Sequence, residues 1–256
     1  MYSIPLVVLS CDKYADLWDG FFYQWKKCVD LPFHAYLITN HKKYDSQYNH
    51  TLQVINTGDD PDWSTSLSCG LNQIKEDKIF LILEDLFISD SVDEKAFIDM
   101  LEFCRTHDAQ HIKYFANPLG EMQDGEFLKY PSGMPYLVSA CGLWDRKYLL
   151  SLLIPGESPW DFEVNASYRA RYSANGFYSP TKPLLKYKNM VEKGVWIKSS
   201  LQWALKNGVP LTPSVRSVRN NSLFHLKRVY FELMMRCPWR MRVGVSSLLK
   251  KLLASY

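Results

Sequence analysis

Lys78-Ile79-Phe80-Leu81-Ile82-Leu83-Glu84-Asp85 is the stretch that decides the fold. After its lysine the run is apolar on both faces, which is how a strand reads when helices cover both sides of a mostly parallel sheet. Two carboxylates follow at once, at the end where open α/β sheets meet their ligands. Toward the N-terminus, Pro5-Leu6-Val7-Val8-Leu9-Ser10 reads as another such strand, Phe33 to Thr39 as a second and Gln53-Val54-Ile55-Asn56 as a short third. Tyr14 to Val29 carries Leu17, Phe21, Phe22, Trp25 and Cys28 at helical spacing. A further helix begins near Ser64 and runs to about Lys75. Toward the C-terminus, Ser91 to His107 reads as a helix, and His111 to Phe115 and Tyr136 to Trp144 as strands joined by a Gly- and Pro-rich loop. The alternation predicts an α/β fold with a mostly parallel sheet and right-handed crossovers. Near residue 177 the rhythm gives way to an irregular, Lys-rich segment.

A chain of 256 residues can bury one substantial core, or one core plus a small appendage. Its 47% hydrophobic and 22% charged residues exclude a disordered polyelectrolyte. Six cysteines (Cys11, Cys28, Cys69, Cys104, Cys141, Cys237) are scattered with no CxxC pair and no His at zinc-finger spacing. That pattern predicts a reducing, cytoplasmic setting. No secretory signal and no apolar run of bilayer length is expected. The net charge of +3 is uneven: residues 225–256 hold seven basic side chains against the single acid Glu232, giving +6 and leaving −3 for residues 1–224.

Three motifs are candidates for chemistry. Glu84 and Asp85 close the central strand, where carboxylates can hold a divalent metal on a diphosphate or simply cap the next element. Ser158-Pro159-Trp160-Asp161-Phe162-Glu163 reads as a helix start, with Ser158 as cap, Pro159 first and Asp161 at the capping-box position. Asp161 and Glu163 lie about 200° apart around that helix, so they cannot share a face. Asp62-Trp63-Ser64-Thr65-Ser66-Leu67 is another helix start, able to offer N–H groups and hydroxyls to a phosphate or sugar, with Ser64 equally an ordinary cap. Ser10 and Asp12 follow the first strand, in a turn without the glycines of a dinucleotide fingerprint.

Taken in order, Ser10-Cys11-Asp12-Lys13-Tyr14, Asp62-Trp63-Ser64, Leu83-Glu84-Asp85, Ser158 to Glu163 and Val191-Glu192-Lys193-Gly194-Val195-Trp196 resemble a group of bacterial glycosyltransferases found among capsule and O-antigen biosynthesis proteins. The resemblance covers roughly residues 4–197. It implies a GT-A-like, Rossmann-type fold with one half for a nucleotide-sugar donor and another for a saccharide or lipid-linked acceptor. It implies that Glu84 and Asp85 sit at the donor diphosphate, with Mn²⁺ or Mg²⁺ on Asp85. Ser10, Asp12, Trp63 and Ser64 would line the nucleotide side, and Asp161 or Glu163 would deprotonate the acceptor. The usual Asp-x-Asp is here Glu84-Asp85-Leu86, which puts metal dependence in question. A single base suggests inversion at the anomeric carbon.

Residues 225–256 read as a basic amphipathic helical tail, broken by Pro238 and carrying Trp239, and suit an anionic membrane surface. The expected site of action is therefore the inner face of the cell membrane, with residues 1–224 as the transferase domain. Nucleic acid is not an expected partner, because the basic residues alternate with aliphatic ones and the body is acidic. Two other classes fit the same elements: a sugar nucleotidyltransferase, which lacks its Lys-containing glycine loop here, and an inactive scaffold of a polysaccharide assembly complex.

Overall fold

The computed structural model describes residues 4–219 and Met241, apart from 30, 32, 60, 116, 117, 135, 136 and 174. The chain runs β1 (Leu6–Leu9), α1 (Trp18–Cys28), β2 (Ala35–Thr39), β3 (Leu52–Asn56), α2 (Trp63–Leu71) and β4 (Lys78–Leu83). Then come β5 (Leu86–Ile88), α3 (Glu94–Thr106), β6 (His111–Ile112), the hairpin β7 (Met122–Asp124) and β8 (Phe127–Lys129), and β9 (Gly142–Asp145). Helices α4 (Arg146–Leu152) and α5 (Pro159–Ala170) precede β10 (Phe177–Pro180). After β10 follow β11 (Tyr187–Asn189), β12 (Val191–Glu192), β13 (Val195–Ile197), α6 (Lys198–Lys206) and β14 (Val218–Arg219).

A nine-stranded sheet carries the α/β fold in the order β3-β2-β1-β4-β9-β6-β10-β8-β7. Strands β1 to β4 are mutually parallel, and β10 is parallel to β6. Only β9 and β8 run against the rest, so seven of the nine strands share one direction. Strand β4 lies between β1 and β9 with Ile79 to Ile82 fully buried, as its two-faced apolar run requires.

The period-two alternation of the strands divides the core. Leu6, Val8, Phe80 and Ile82 pack with Phe21, Phe22 and Trp25 of α1 and Phe97 and Met100 of α3. Val7, Leu9, Ile79 and Leu81 pack with Leu67 and Leu71 of α2, Leu149 and Leu152 of α4, and Phe162 and Ala166 of α5. Each Val, Leu, Ile, Phe or Met side chain among them contributes about 1.5–3 kcal/mol on burial. Close helix approach needs a glycine at Gly70, where a Cβ would stand 2.5 Å from Ile38.

Several elements depart from the sequence expectation. The helix of Tyr14 to Val29 is preceded by a 3₁₀ turn over Asp12–Leu17, and α1 starts only at Trp18. Helix α2 starts at Trp63 because Asp62, not Ser64, accepts the Thr65 N–H at 2.8 Å. The expected strands 111–115 and 136–144 shrink to β6 and β9. The loop between them holds β7 and β8, three-residue strands of which β7 forms the sheet edge and which carry no apolar alternation. The Lys-rich segment folds back on the end of β4, with Asn189 of β11 opposite Leu86 and the Met190 N–H donating to Asp85 O at 2.8 Å. The tail helices expected within 225–256 lie outside the described residues, apart from Met241. Among the described residues no helix is long and apolar enough to cross a membrane.

Candidate active site

In the β1–β4 pairing Leu9 faces Leu83, so Ser10 and Glu84 leave the sheet side by side at its carboxyl edge. The start of α5 reaches the same edge, through Ser64 at the head of α2. The Ser64 N–H donates to Glu157 O at 3.3 Å, and its hydroxyl donates to Ile154 O at 2.5 Å. A cavity of about 750 Å³ opens between these elements. Of the residues singled out in the sequence, Ser10, Trp63, Glu84, Asp85 and Glu163 line it. Asp12, Ser64 and Asp161 do not.

The three outside have visible structural work. Asp12 accepts the Thr39 hydroxyl at 3.0 Å and the N–H groups of His41 and Lys42, tying the β1 turn to the end of β2. Those bonds outweigh its partial desolvation and hold its carboxyl below the usual value. Ser64 is buried in the α2–α5 junction just described. Asp161 is exposed and closes the capping box, accepting the Ser158 hydroxyl at 2.6 Å and the Ser158 N–H at 3.2 Å. These bonds lower its pKa.

Inside the cavity the carboxyls behave oppositely. Burial, then the charge of adjacent Asp85, pushes Glu84 well above the ordinary carboxyl range. Burial takes Asp85 up to about 7, against the opposing pull of Arg216. Glu163 is raised by burial too, opposed by the Ala140 N–H at 2.9 Å, the charge of Lys113 and the Ser139 hydroxyl at 3.3 Å. Both of those bonds end on Oε1. Ser10 accepts the Trp18 indole N–H at 2.8 Å. Among the described residues, Trp63 Nε1 and Asn189 Oδ1 are buried without a hydrogen-bond partner, and both residues line the cavity. A buried polar atom left so costs about 1–3 kcal/mol, which a polar ligand or water would relieve.

Two cations belong to the site that the sequence did not announce. Lys113, only 2% exposed, lines the cavity with its ammonium 5.2 Å from the Tyr130 ring centre and 5.7 Å from that of Phe115. Arg216 makes a bidentate pair with Asp16 at 2.6 and 2.7 Å and lies 4.4 Å from the ring of Tyr14, a cavity residue. Lys113 lies inside the stretch read as a strand, His111 to Phe115, with nothing local to mark it as part of a site. Arg216 finds Asp16 across 200 positions, where no local pattern reaches.

Among the described residues there is no cluster of three or more His, Cys, Asp or Glu side chains able to hold a metal alone. The buried Glu84 and the half-buried Asp85, whose charges are resisted by desolvation, nevertheless fit a hard cation that takes its remaining ligands from phosphate and water. Glu84 and Asp85 are the residues that would hold it.

No family model matches the chain, and none of the curated proteins matches it in sequence. Among solved structures it is similar to S. aureus TarS, with a TM-score of 0.47 and 11% identity over 82% of this chain and 41% of that one. It is also similar to the S. aureus TarS 1-349 structure (TM-score 0.46, 13% identity, 72% of this chain and 59% of that one). The same TarS 1-349 in complex with UDP gives a TM-score of 0.46 and 12% identity over the same shares. The chain thus spans less than two thirds of each of these structures.

Proposed function

We propose that the chain is a nucleotide-sugar-dependent glycosyltransferase acting on a saccharide or lipid-linked acceptor in bacterial surface-polysaccharide synthesis, of the O-antigen or capsule kind. The observation that carries this reading is the meeting, in one cavity at the carboxyl edge of the sheet, of Ser10, Trp63 and the Glu84–Asp85 pair with the half-buried Glu163. These residues come from four separated segments, and the sequence resemblance assigns them to the donor and the acceptor.

On this reading the nucleotide lies along Ser10 and Trp63, and its diphosphate lies toward Glu84 and Asp85. Mn²⁺ or Mg²⁺ bound there would neutralise diphosphate charge. Lys113 supplies positive charge from the cavity wall, and Arg216 adds to it at longer range. Glu163 is the base: its Oε2, which takes neither of the bonds from Ser139 and Ala140, receives the acceptor proton as the oxygen attacks the anomeric carbon and the bond from that carbon to the diphosphate breaks, releasing the nucleoside diphosphate. A positioned base of this kind contributes about 10²–10⁴-fold. Asp161 is the weaker candidate, being exposed and committed to its capping box. A single base and direct attack give inversion. The basic tail holds the enzyme on the inner face of the membrane.

Thermal unfolding in the presence of UDP-, GDP-, CMP- and dTDP-sugars, with and without Mn²⁺, tests the donor half. A donor at one hundred times its Kd stabilises by about 2.7 kcal/mol. At 256 residues that is a shift of several degrees, since each kcal/mol moves the midpoint by roughly 2–4 °C. If no nucleotide sugar shifts the midpoint, the donor site is lost and the scaffold reading takes its place.

A further inference from the structure

Helix α5 brings Glu163 into the cavity, and a second feature of the same helix lies largely outside it. Trp160, Val164 and Tyr168 recur every fourth residue along α5, and Tyr172 continues the row past its end. Spacing of four lines side chains into one ridge. All four are exposed, by 69%, 39%, 58% and 73% respectively, while Phe162, Ala166 and Ala170 of the same helix are buried in the core. Trp160 and Val164 also line the cavity. The ridge therefore starts in the site and leads away from it over about 18 Å of chain at helical rise. Arg171 lies 4.5 Å from the Tyr172 ring centre, a cation–π contact that steadies the outermost ring.

We propose that this ridge is an acceptor track, on which successive rings of a saccharide chain stack while the terminal hydroxyl reaches Glu163. The proposal rests on the transferase reading of the cavity and narrows it: the acceptor is a chain of several sugars. Large flat rings with a polar edge at Trp160, Tyr168 and Tyr172 match a sugar ring, which has an apolar face and hydroxyl rim. An anionic lipid surface fits less well, because the row brings no net positive charge: Arg169 is taken up by Glu157 at 2.7 Å, and the exposed Asp161 offsets Arg171. Continuity with the cavity favours a substrate chain over an unrelated protein.

The test uses the full chain on an array of bacterial capsular and lipopolysaccharide oligosaccharides graded from one sugar to several. The variant is Tyr168→Ala/Tyr172→Ala, whose two positions do not line the cavity. Wild type is expected to retain the longer glycans, and the double variant to lose about tenfold in affinity for them. The nucleotide-induced thermal shift should be the same in both proteins, which also shows that the variant folds. Equal glycan binding by the two proteins, or no preference for longer glycans in wild type, overturns the track. So does loss of binding to phosphatidylglycerol vesicles in the variant with glycan binding intact. Length-dependent glycan binding without any nucleotide shift would remove the transferase reading and leave the ridge a saccharide site.

Discussion

Asp161 and Glu163 stand two positions apart on one helix, and their surroundings separate them. The Ser158 hydroxyl and N–H hold the Asp161 carboxyl low, whereas burial raises that of Glu163. The Glu163→Gln variant keeps the shape and most bonding of the side chain but cannot accept a proton. Its kcat is expected to fall about 10²–10⁴-fold. Asp161→Asn should leave kcat within a few-fold and lower the melting temperature only slightly. The pH profile follows from the sign of the shift. A raised pKa means that Glu163, the proposed base, takes up its proton and can no longer accept one as pH falls through a value above 4.5. The acid limb of kcat/KM in wild type, which reports the free enzyme, should therefore lie above 4.5. Steady-state transfer assays over a pH series check both points. Full activity in the glutamine variant, or equal losses in the two variants, would take the base away from Glu163.

Elements differ in how much of themselves they write into local sequence. Helix α2 turns on its cap: Asp62 accepts the Thr65 N–H and the hydroxyls of Ser64 and Thr65, each at 2.8 Å. Losing an aspartate cap costs about 1 kcal/mol. Those hydrogen bonds outweigh partial desolvation and bring the Asp62 pKa from 3.8 down to about 2. A depressed carboxyl stabilises above its unfolded pKa and loses that contribution as pH falls through its folded one. The gap in unfolding free energy between wild type and Asp62→Ala should thus be constant above pH 4 and shrink between 3.8 and about 2, in urea titrations at each pH. A gap that does not change over that range would show that the carboxylate is not the cap.

The same contrast explains what could be read beforehand. Strands β1 and β4 were legible because both their faces are buried, and the start of α5 because Ser158-Pro159 and Asp161 spell a capping box. The β7–β8 hairpin was not, since its strands are only three residues long and show no apolar alternation. Strand β9 was shorter than its apolar run because it begins at Gly142, at φ +148, where a Cβ would stand 2.6 Å from His111. In the site, Ser10, Glu84 and Asp85 could be placed as strand-end residues. Lys113, Arg216 and Asn189 join them only through the fold of the sheet and the return of the chain across the end of β4.

At the scale of the whole molecule, charge and connectivity argue together. Arg216, bound to Asp16 and stacked on Tyr14, pins the chain beside the cavity wall nine positions before the tail begins at residue 225. Nine residues span at most about 30 Å, so a tail lying on a membrane keeps the cavity close to it. That placement suits a lipid-linked saccharide, whose anchor stays in the bilayer while its sugars reach Glu163. The full chain is expected to sediment with vesicles containing phosphatidylglycerol and not with pure phosphatidylcholine, and to release as salt rises and the Debye length shrinks. Lys227, Arg228, Lys250 and Lys251 carry four of the seven basic charges of the tail. At about 1 kcal/mol for each charge near an anionic surface, changing all four to Gln should weaken binding by two to three powers of ten. Binding of the quadruple variant as tight as wild type would mean that the tail charge does not hold the membrane, and the site would have to meet its acceptor in solution.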